Sequence, residues 1–274
     1  MTPFSIYKIY FSPTGTTKKI VDTIGDELSR LFAVITKTYD FTLPIRRQSF
    51  PEISSEDIVV FGLPTYAGRL PNLLLDYLDT INGNSAFAIP VVTFGNRAYD
   101  NALVELKNLL EQHDFMTIGA GAFSCEHSFS YTLAAGRPDE RDIAFAKDFA
   151  SKMYDKILKI NINEYEHTAI HVDGDALSGY YQPQTNSGVK IDIRKVKPKT
   201  SSTCIKCGLC AESCPMGSIS FVDFSEVTGI CIKCGACVKK CPTHAKYFDD
   251  EGYLYHKTDL EKKYMRRAEN KIFI

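Results

Sequence analysis

Apolar and polar positions along the first 160 residues alternate between two patterns. Short apolar runs predict buried strands, and longer stretches with apolar residues every three to four positions predict helices. The predicted strands are Ser5–Phe11, Ala33–Tyr39, Asp57–Gly62, Ala88–Phe94 and Phe115–Phe123, and the predicted helices are Thr16–Leu31, Asn72–Leu78, Ala98–Gln112 and Pro138–Ile160. Pro90 is expected to mark the beginning of the fourth strand, because proline cannot donate to a ladder. This alternation favours an α/β fold, a doubly wound five-stranded parallel sheet with helices on both faces.

Eight of the nine cysteines form two copies of one spacing, C-x2-C-x2-C-x3-C-P. The first copy is Cys204, Cys207, Cys210 and Cys214, and the second is Cys231, Cys234, Cys237 and Cys241. This run is the ligand pattern of bacterial proteins with two iron–sulfur clusters, in which the last cysteine of each run ligates the other cluster. The pattern therefore predicts two [4Fe–4S] clusters in a small α+β domain. One is assigned to Cys204, Cys207, Cys210 and Cys241, and the other to Cys231, Cys234, Cys237 and Cys214.

Two other uses of these cysteines are disfavoured. Structural zinc usually takes two cysteine pairs, whereas each run here offers three close cysteines and a Cys-Pro. Disulfides require an oxidising compartment. The first eleven residues lack the basic start and long apolar stretch of a signal peptide, so we expect a reduced, cytoplasmic protein.

Charge and hydropathy exclude several partners. The formal net charge of the 274 residues is −1, which implies no bulk attraction to nucleic acid or to an anionic membrane. No apolar run approaches the roughly 20 residues that a membrane span needs. Residues 199–248 contain six lysines and three acids. We expect Lys206, Lys233, Lys239 and Lys240 to offset the negative charge of the clusters, the alternative being a solvated lysine face.

A loop rich in hydroxyl groups follows the first predicted strand. It reads Ser12-Pro13-Thr14-Gly15-Thr16-Thr17 and leads into a helix, whose first N–H groups can bind a phosphate together with the hydroxyls. It is neither a G-x-G-x-x-G nor a G-x-x-x-x-G-K-[ST] motif, which argues against a dinucleotide or ATP site. An ordinary capped helix start is the alternative.

This loop resembles the FMN phosphate loop of flavodoxins, S/T-x-T-G-x-T, which Ser12, Thr14, Gly15 and Thr17 match with Thr16 between them. The resemblance implies that two further loops enclose the flavin ring. Their candidate residues are Pro64, Thr65, Tyr66, Ala67 and Gly68 after strand three, and Thr93, Phe94, Gly95, Asn96, Arg97, Tyr99 and Asp100 after strand four. Tyr66 and Tyr99 would flank the ring, although Tyr99 at a helix start can also pack on the core.

The loop from Phe123 to Arg137 is longer than in a short flavodoxin and is expected near the flavin or over it. His127 and Arg137 are candidates to contact flavin or substrate, with a surface or capping role as the alternative. Cys125 lies two residues from His127, and a Cys/His pair can be nucleophilic. A buried apolar cysteine is the favoured interpretation of Cys125.

The whole chain resembles the fused flavodoxin–ferredoxin proteins of anaerobic bacteria and archaea, over residues 1–160 and 199–248. The resemblance implies one FMN and two [4Fe–4S] clusters, and an electron-transfer protein that couples one- and two-electron redox partners, such as ferredoxin-type donors or acceptors. A different hypothesis is an FMN-dependent reductase of a small molecule, motivated by the loop at 123–137. A weaker one is a redox sensor. The sequence leaves open whether the domains of one chain meet each other or those of a second copy, as in a homodimer.

Four segments are expected. Residues 1–160 form the FMN-binding domain and residues 161–198 a linker packed on a domain. Residues 199–248 form the dicluster domain. Residues 249–274 form a charged tail that ends in a helix docked by Ile272, Phe273 and Ile274.

Overall fold

The computed structural model describes residues 3–160, 170–175 and 178–274. The strands in this part of the chain are β1 (Ile6–Tyr10), β2 (Thr36–Asp40), β3 (Ile58–Pro64), β4 (Ala86–Phe94), β5 (Phe115–Thr117), β6 (Ala120–Ser124), β7 (Lys199–Thr200), β8 (Lys246–Tyr247) and β9 (Lys271–Phe273). The helices are α1 (Thr16–Phe32), α2 (Leu75–Leu78), α3 (Ala102–Gln112), α4 (Glu140–Lys159), α5 (Leu209–Glu212), α6 (Ala236–Lys239) and α7 (Glu251–Lys263). Two 3-10 turns cover Pro44–Arg46 and Asn72–Leu74.

The large sheet has the strand order β2-β1-β3-β4-β6-β9, with β5 beside the first half of β4. Strands β1 to β6 pair in parallel. An order of 2-1-3-4-5 with parallel strands is the flavodoxin-like arrangement, whose ligands bind at the carboxyl ends of the strands. The predicted fold class is therefore confirmed.

The sheet differs from the predicted one in its fifth position. The single strand predicted at Phe115–Phe123 is two strands, and the chain breaks from the ladder at Ile118 and Gly119. The break lies opposite Pro90, because Ala88 pairs with Thr117 and Val91 pairs with Gly121. Pro90 itself lies inside β4, in register with Phe61, so its expected place at the start of the strand was wrong. Because the neighbouring strand leaves the ladder at this point, the N–H that Pro90 lacks is not needed for a ladder hydrogen bond there.

The end of the described chain is a strand and not the predicted helix. After α7 the chain returns to the large sheet, where β9 pairs antiparallel with β6. Ile272 and Phe273 thus join the large sheet, but they do so in a strand and not in the predicted helix. The sheet consequently has seven strands within the described residues, one of them antiparallel, instead of five parallel ones.

Two apolar layers enclose the sheet. The α1 and α4 helices cover one face, where Ile20, Ile24, Phe149 and Met153 are fully buried. The α3 helix and the 72–78 segment cover the other face. Both β3 and β4 are buried almost along their whole length, as expected for central parallel strands. Within the part of the chain that the structure describes, no helix has the length and apolarity to cross a bilayer.

The cysteine-rich segment folds as two related halves. The α5 and α6 helices each begin directly after a glycine, Gly208 and Gly235, in left-handed conformation. The β7–β8 pair joins Thr200 to Lys246, and the corresponding bridge of the other half joins Val227 to Ile219. Each of these positions shifts by 27 residues between the halves (227 − 200 and 246 − 219), the same shift as the cysteines (231 − 204). The repeat in sequence is therefore a repeat in structure.

Candidate functional site

The eight cysteines gather around two separate cavities. One cavity is lined by Cys204, Cys207, Cys210 and Cys241, and we call this set the outer cysteines. The other is lined by Cys214, Cys231, Cys234 and Cys237, the inner cysteines. The last cysteine of each run crosses to the cavity of the other run, which is the grouping predicted from the sequence.

Backbone amides point at sulfur in the same way in both sets. The N–H···S pairs are Lys206 to Cys204 (3.4 Å), Lys233 to Cys231 (3.4 Å), Ser218 to Cys214 (3.3 Å) and Ala245 to Cys241 (3.2 Å). Such bonds stabilise thiolate and tune a bound cluster. Gly208 and Gly235 have φ of 81° and 74°, a left-handed backbone that glycine adopts without strain.

The donor set and its surroundings fit a cluster. Burial raises the pKa of Cys234 and Cys237, in the latter case to about 12, so these thiols are neutral until a cation binds them. Among the described residues, no three His, Cys, Asp or Glu side chains are arranged to hold a single ion. Four cysteines around a cavity instead suit a polynuclear group with a ligand at each corner.

The loop between β1 and α1 holds its shape through hydrogen bonds of its own. Ser12 Oγ accepts from Lys18 N at 2.9 Å, and Gly15, with φ of 91°, precedes the helix. Thr17 Oγ1 lies 2.7 Å from Thr93 Oγ1, which ties the helix start to β4. Helix geometry leaves the N–H groups of Thr16 and Thr17 without intrahelical partners, as an anion site requires. Thr14 and Thr16 are partly exposed beside them.

The loop after β3 lies between this helix start and the inner cysteines. Tyr66 and Arg69 exchange backbone hydrogen bonds, which closes a tight turn through Ala67 and Gly68. The Thr65 hydroxyl is buried and has no hydrogen-bond partner among the described residues. Burial raises the pKa of Tyr66, and nearby Cys234 and Cys231 add to the effect. Tyr66 is therefore a neighbour of the inner cysteines as well as a candidate ring contact.

The loop after β4 contacts the C-terminal segment through Asn96. Asn96 is 1% exposed, and its amide donates to Tyr264 O and Arg266 O at 2.6 Å each while its Oδ1 accepts from Ala268 N at 3.1 Å. The side-chain amide of Asn96 therefore anchors the C-terminal segment, and the contact of Asn96 with a flavin stays a prediction.

The aromatic and charged residues of the same loop also have partners in the protein. The Tyr99 ring packs on Phe94 with centroids 5.6 Å apart, which is the core position given as its alternative. Arg97 pairs with Asp100, whose carboxylate lies against Gly68. Thr93 and Gly95 remain at the carboxyl end of β4, where a flavin ring would lie.

His127 is partly buried and lies against Gly95, where a Cβ would come within 2.4 Å of the imidazole. Burial lowers the pKa of His127 to about 3, with His256, Lys239 and Arg97 contributing. Its Nδ1 accepts from Phe129 N at 3.1 Å, so the neutral ring carries its proton on Nε2. The structure thus places His127 at the ring loops as a neutral hydrogen-bond donor.

A row of rings leads from the inner cavity to His127. Phe248, which lines that cavity, stacks on Tyr253 at 4.4 Å between centroids. Tyr253 packs on Phe129 at 4.6 Å, and Phe129 lies 5.2 Å from the His127 ring. The sequence analysis missed these residues, because they come from two distant segments and share no spacing.

Comparison with known families agrees with the cysteine geometry. Residues 197–242 match the family model of a 4Fe-4S dicluster domain. This segment is a 4Fe-4S dicluster domain. No match was found among curated proteins.

Solved structures similar to the rest of the chain include flavodoxins. A flavodoxin from the domain Archaea is 13% identical over 56% of this chain and 98% of its own, with a TM-score of 0.41. A Streptococcus pneumonia TIGR4 flavodoxin is 22% identical over 56% of this chain and 99% of its own, with a TM-score of 0.39. The apo form of an NADH:FMN oxidoreductase is 17% identical over 61% and 95%, with a TM-score of 0.40. Likenesses of this size do not bear on the cofactor.

The loop at 125–137 joins the dicluster domain to the flavodoxin-like sheet. Lys239 of the dicluster domain pairs with Glu126 at 2.5 Å, and its Nζ lies 4.0 Å from the centroid of the Tyr131 ring. Gly235 lies against Ser128, whose carbonyl oxygen would be 2.6 Å from an added Cβ. These contacts place the loop, which the sequence predicts near the flavin or over it, against the dicluster domain.

A second contact fixes the dicluster domain from the opposite side. Arg47, after β2, donates from Nη2 to Pro215 O at 2.7 Å, and Pro44 packs beside Gly217. Pro215 directly follows Cys214, an inner cysteine. The inner cavity therefore faces the carboxyl end of the sheet, and the outer cavity opens elsewhere, with Ile205, Cys207 and Leu209 exposed.

The predicted linker falls partly outside the described residues, since 161–169 and 176–177 are not among them. Its described part packs on the two ring loops. Tyr181 N donates to Ala67 O at 2.8 Å, and Arg97 stacks over the Tyr181 ring at 4.2 Å. Arg69 pairs with Glu105 and lies over the Tyr180 ring at 5.4 Å. Both arginines thus have partners within the protein, and the contact of Arg97 with a flavin stays a prediction.

Arg137 and Cys125 are structural. Arg137 is 5% exposed and forms a paired hydrogen bond with Asp142 at 2.6 and 2.9 Å. Cys125 is 2% exposed, and burial raises the pKa of its thiol well above the ordinary value. A thiol held neutral in this way is the buried apolar residue that the sequence favoured, and not a nucleophile.

Proposed function

We propose that the protein is an electron-transfer flavo-iron–sulfur protein that passes single electrons between two [4Fe–4S] clusters and one FMN. One observation carries this proposal: the dicluster domain lies against the loops at the carboxyl end of the flavodoxin-like sheet, with Gly235 against Ser128 and Tyr66 near the inner cysteines Cys231 and Cys234. When bound, FMN exchanges one or two electrons and each cluster exchanges one, so the pair couples one- and two-electron partners.

The residues at the sheet edge fit an FMN. The α1 N-terminus and the hydroxyls of Thr14 and Thr16 would hold the phosphate, as the free N–H groups there favour an anion. Tyr66, Gly95 and the Nε2–H of His127 surround the space for the ring. The orphaned Thr65 hydroxyl supports a ligand here, because buried polar groups are otherwise paired in native proteins.

Replacing Thr65 with valine tests the flavin site. If FMN accepts or donates the missing hydrogen bond, Thr65→Val should weaken FMN binding by about 1–2 kcal/mol, roughly 5- to 30-fold in Kd. The flavin-free protein should keep or slightly gain stability, because the substitution removes an unsatisfied group. Fluorescence titration with FMN and thermal unfolding of the flavin-free protein measure the two effects. An unchanged Kd would contradict the assignment.

The outer cysteines are the proposed entry and exit for electrons. Cys207, Ile205 and Leu209 are exposed, the latter two by 62% and 42%. A redox partner protein of ferredoxin type would contact this end. Apolar side chains beside an exposed redox centre suit a brief, weakly polar contact.

A reductase that transfers electrons to a small-molecule acceptor at the flavin is the alternative. The loop that motivated it is occupied by contacts with the dicluster domain, which favours the carrier. The decisive experiment is anaerobic purification with counts of iron, sulfide and flavin, followed by rapid mixing with a one-electron donor. The carrier predicts flavin reduction through the clusters and no turnover with quinones or nitro compounds. Material lacking iron or flavin would reject both.

A further inference from the structure

The two halves of the dicluster domain differ at one buried position. Lys246 and Ile219 are equivalent by the 27-residue repeat (246 − 219) and by their pairing with Thr200 and Val227. Both side chains are buried, with exposures of 2% and 4%. Lys246 lines the outer cavity and Ile219 lines the inner one. One cavity thus has a buried ammonium where the other has a hydrocarbon.

The charge of Lys246 is not offset by an ion pair with a carboxylate of the described residues. Its Nζ donates to the carbonyl oxygen of Phe224, a residue that lines the outer cavity. No carboxylate among the described residues forms an ion pair with Lys246 Nζ. An ammonium buried without such a partner is costly unless another negative charge lies near. Thiolates of the outer cysteines can supply that charge, and the positive charge of Lys246 acts on Cys210 of the outer set and also on Cys237 of the inner set.

The other lysines around the cavities are more exposed than Lys246. Lys206 and Lys233 are equivalent by the repeat and each lies beside the first cysteine of its run, but Lys206 is exposed and Lys233 is partly buried. Asp223, near Lys206 and Lys246, is exposed and therefore screened by water. Lys197, near Cys231, is also exposed and donates to Val227 O. Lys246 is the buried member of this group.

We infer that Lys246 sets the reduction potential of the outer cluster above that of the inner one. Reduction adds a negative charge to a cluster, and a buried positive charge stabilises that state more than an exposed one does. The outer cysteines are also more exposed, since Cys207 is open to solvent while Cys234 and Cys237 are buried. Exposure acts in the same direction as the lysine.

The consequence is that one of the two clusters is reduced in preference to the other. An electron that reaches the pair of clusters stays mainly on the outer one, the end that a protein partner can contact. Transfer from the inner to the outer cluster is favourable, so the arrangement favours delivery from the flavin outward. This inference rests on the proposed function, because it requires that both clusters are bound.

A redox titration followed by electron paramagnetic resonance tests the inference on the full-length protein with both clusters loaded. Lys246→Met should lower the higher of the two cluster midpoint potentials and narrow the gap between them. Lys246→Arg, which keeps the charge, should leave the gap near its original value. Lys206→Met removes an exposed lysine from the same end and should give a smaller shift.

The outcomes separate the inference from the proposed function. Two unchanged midpoints in Lys246→Met with full iron content would overturn the inference alone. A shift of the lower midpoint would overturn it as well. If the methionine variant loses iron, Lys246→Gln, which is neutral and keeps a donor for Phe224 O, decides in its place, and Ile219→Lys should raise the lower midpoint. Absence of clusters from the unmodified protein would reject the proposed function first.

Discussion

Replacing Cys214 with alanine should remove the inner cluster and interrupt electron flow to the flavin. Cys214 belongs by sequence to the first run, but it lines the inner cavity with the three cysteines of the second run. The variant should therefore lose about half of its iron, roughly four of eight atoms per chain. Reduction of FMN by a one-electron donor should become slower by orders of magnitude, whereas the outer cluster should still be reduced.

The grouping of the cysteines can be checked with pairs of variants. Cys214→Ala combined with Cys234→Ala should lose no more iron than either change alone, since both affect one cluster. Cys214→Ala combined with Cys207→Ala should lose nearly all of it, because each change removes a different cluster. Iron analysis and paramagnetic resonance distinguish the two results. Additive loss within the first pair would show that the grouping is wrong.

Arg137→Met should cause the largest loss of stability of any single change outside the cysteines. The side chains of Arg137 and Asp142 are 4% and 1% exposed, and removal of Arg137 breaks this buried pair and leaves Asp142 with Arg267, at 3.0 Å, as its remaining ion-pair partner among the described residues. Such a loss costs about 3 kcal/mol or more. Arg30→Met is a matched control, because Arg30 pairs with Glu27 but is 66% exposed. Its cost should be about 0–1 kcal/mol. Urea unfolding of the two variants compares these values.

The same ion pair predicts a dependence of stability on acid. Burial alone would raise the pKa of Asp142, but hydrogen bonds from Arg137, the Asp139 backbone and Asn270 lower it. A carboxyl whose folded pKa is depressed stabilises the protein above its unfolded pKa, about 3.9, and loses this contribution as the pH falls further. Unfolding free energy should thus decline below about pH 4. In Arg137→Met the pKa of Asp142 should be less depressed, so this decline should be smaller. An identical pH profile would contradict the role of Arg137.

Local sequence patterns were sufficient to predict the central strands and the grouping of the eight cysteines. Apolar runs located β1, β3 and β4 because central parallel strands are buried on both faces. The cysteine spacing located both cavities, since three ligands of each come from one short loop. The break between β5 and β6 could not be predicted, because it depends on Pro90 in a neighbouring strand and not on the residues that break.

Contacts between segments that are distant in the sequence could not be predicted from it. Asn96 follows a strand in the position of a flavin contact, and only the fold shows that residues 264–268 use its amide. Tyr181 and Arg97 meet although 84 residues separate them (181 − 97). Lys246 was not distinguished from the other lysines, because burial of a charged residue is not visible in composition. The comparison of its position with Ile219 was the signal that could have found it.

The antiparallel pairing of β9 with β6 gives the molecule an order of assembly. During synthesis both cysteine runs leave the ribosome before residues 271–273, so the edge of the large sheet stays open while the metal ligands are already available. Only a chain that has extended past the dicluster domain can close that edge. Nascent chains that have not reached this point retain an unpaired edge at β6, which is open to pairing with other chains.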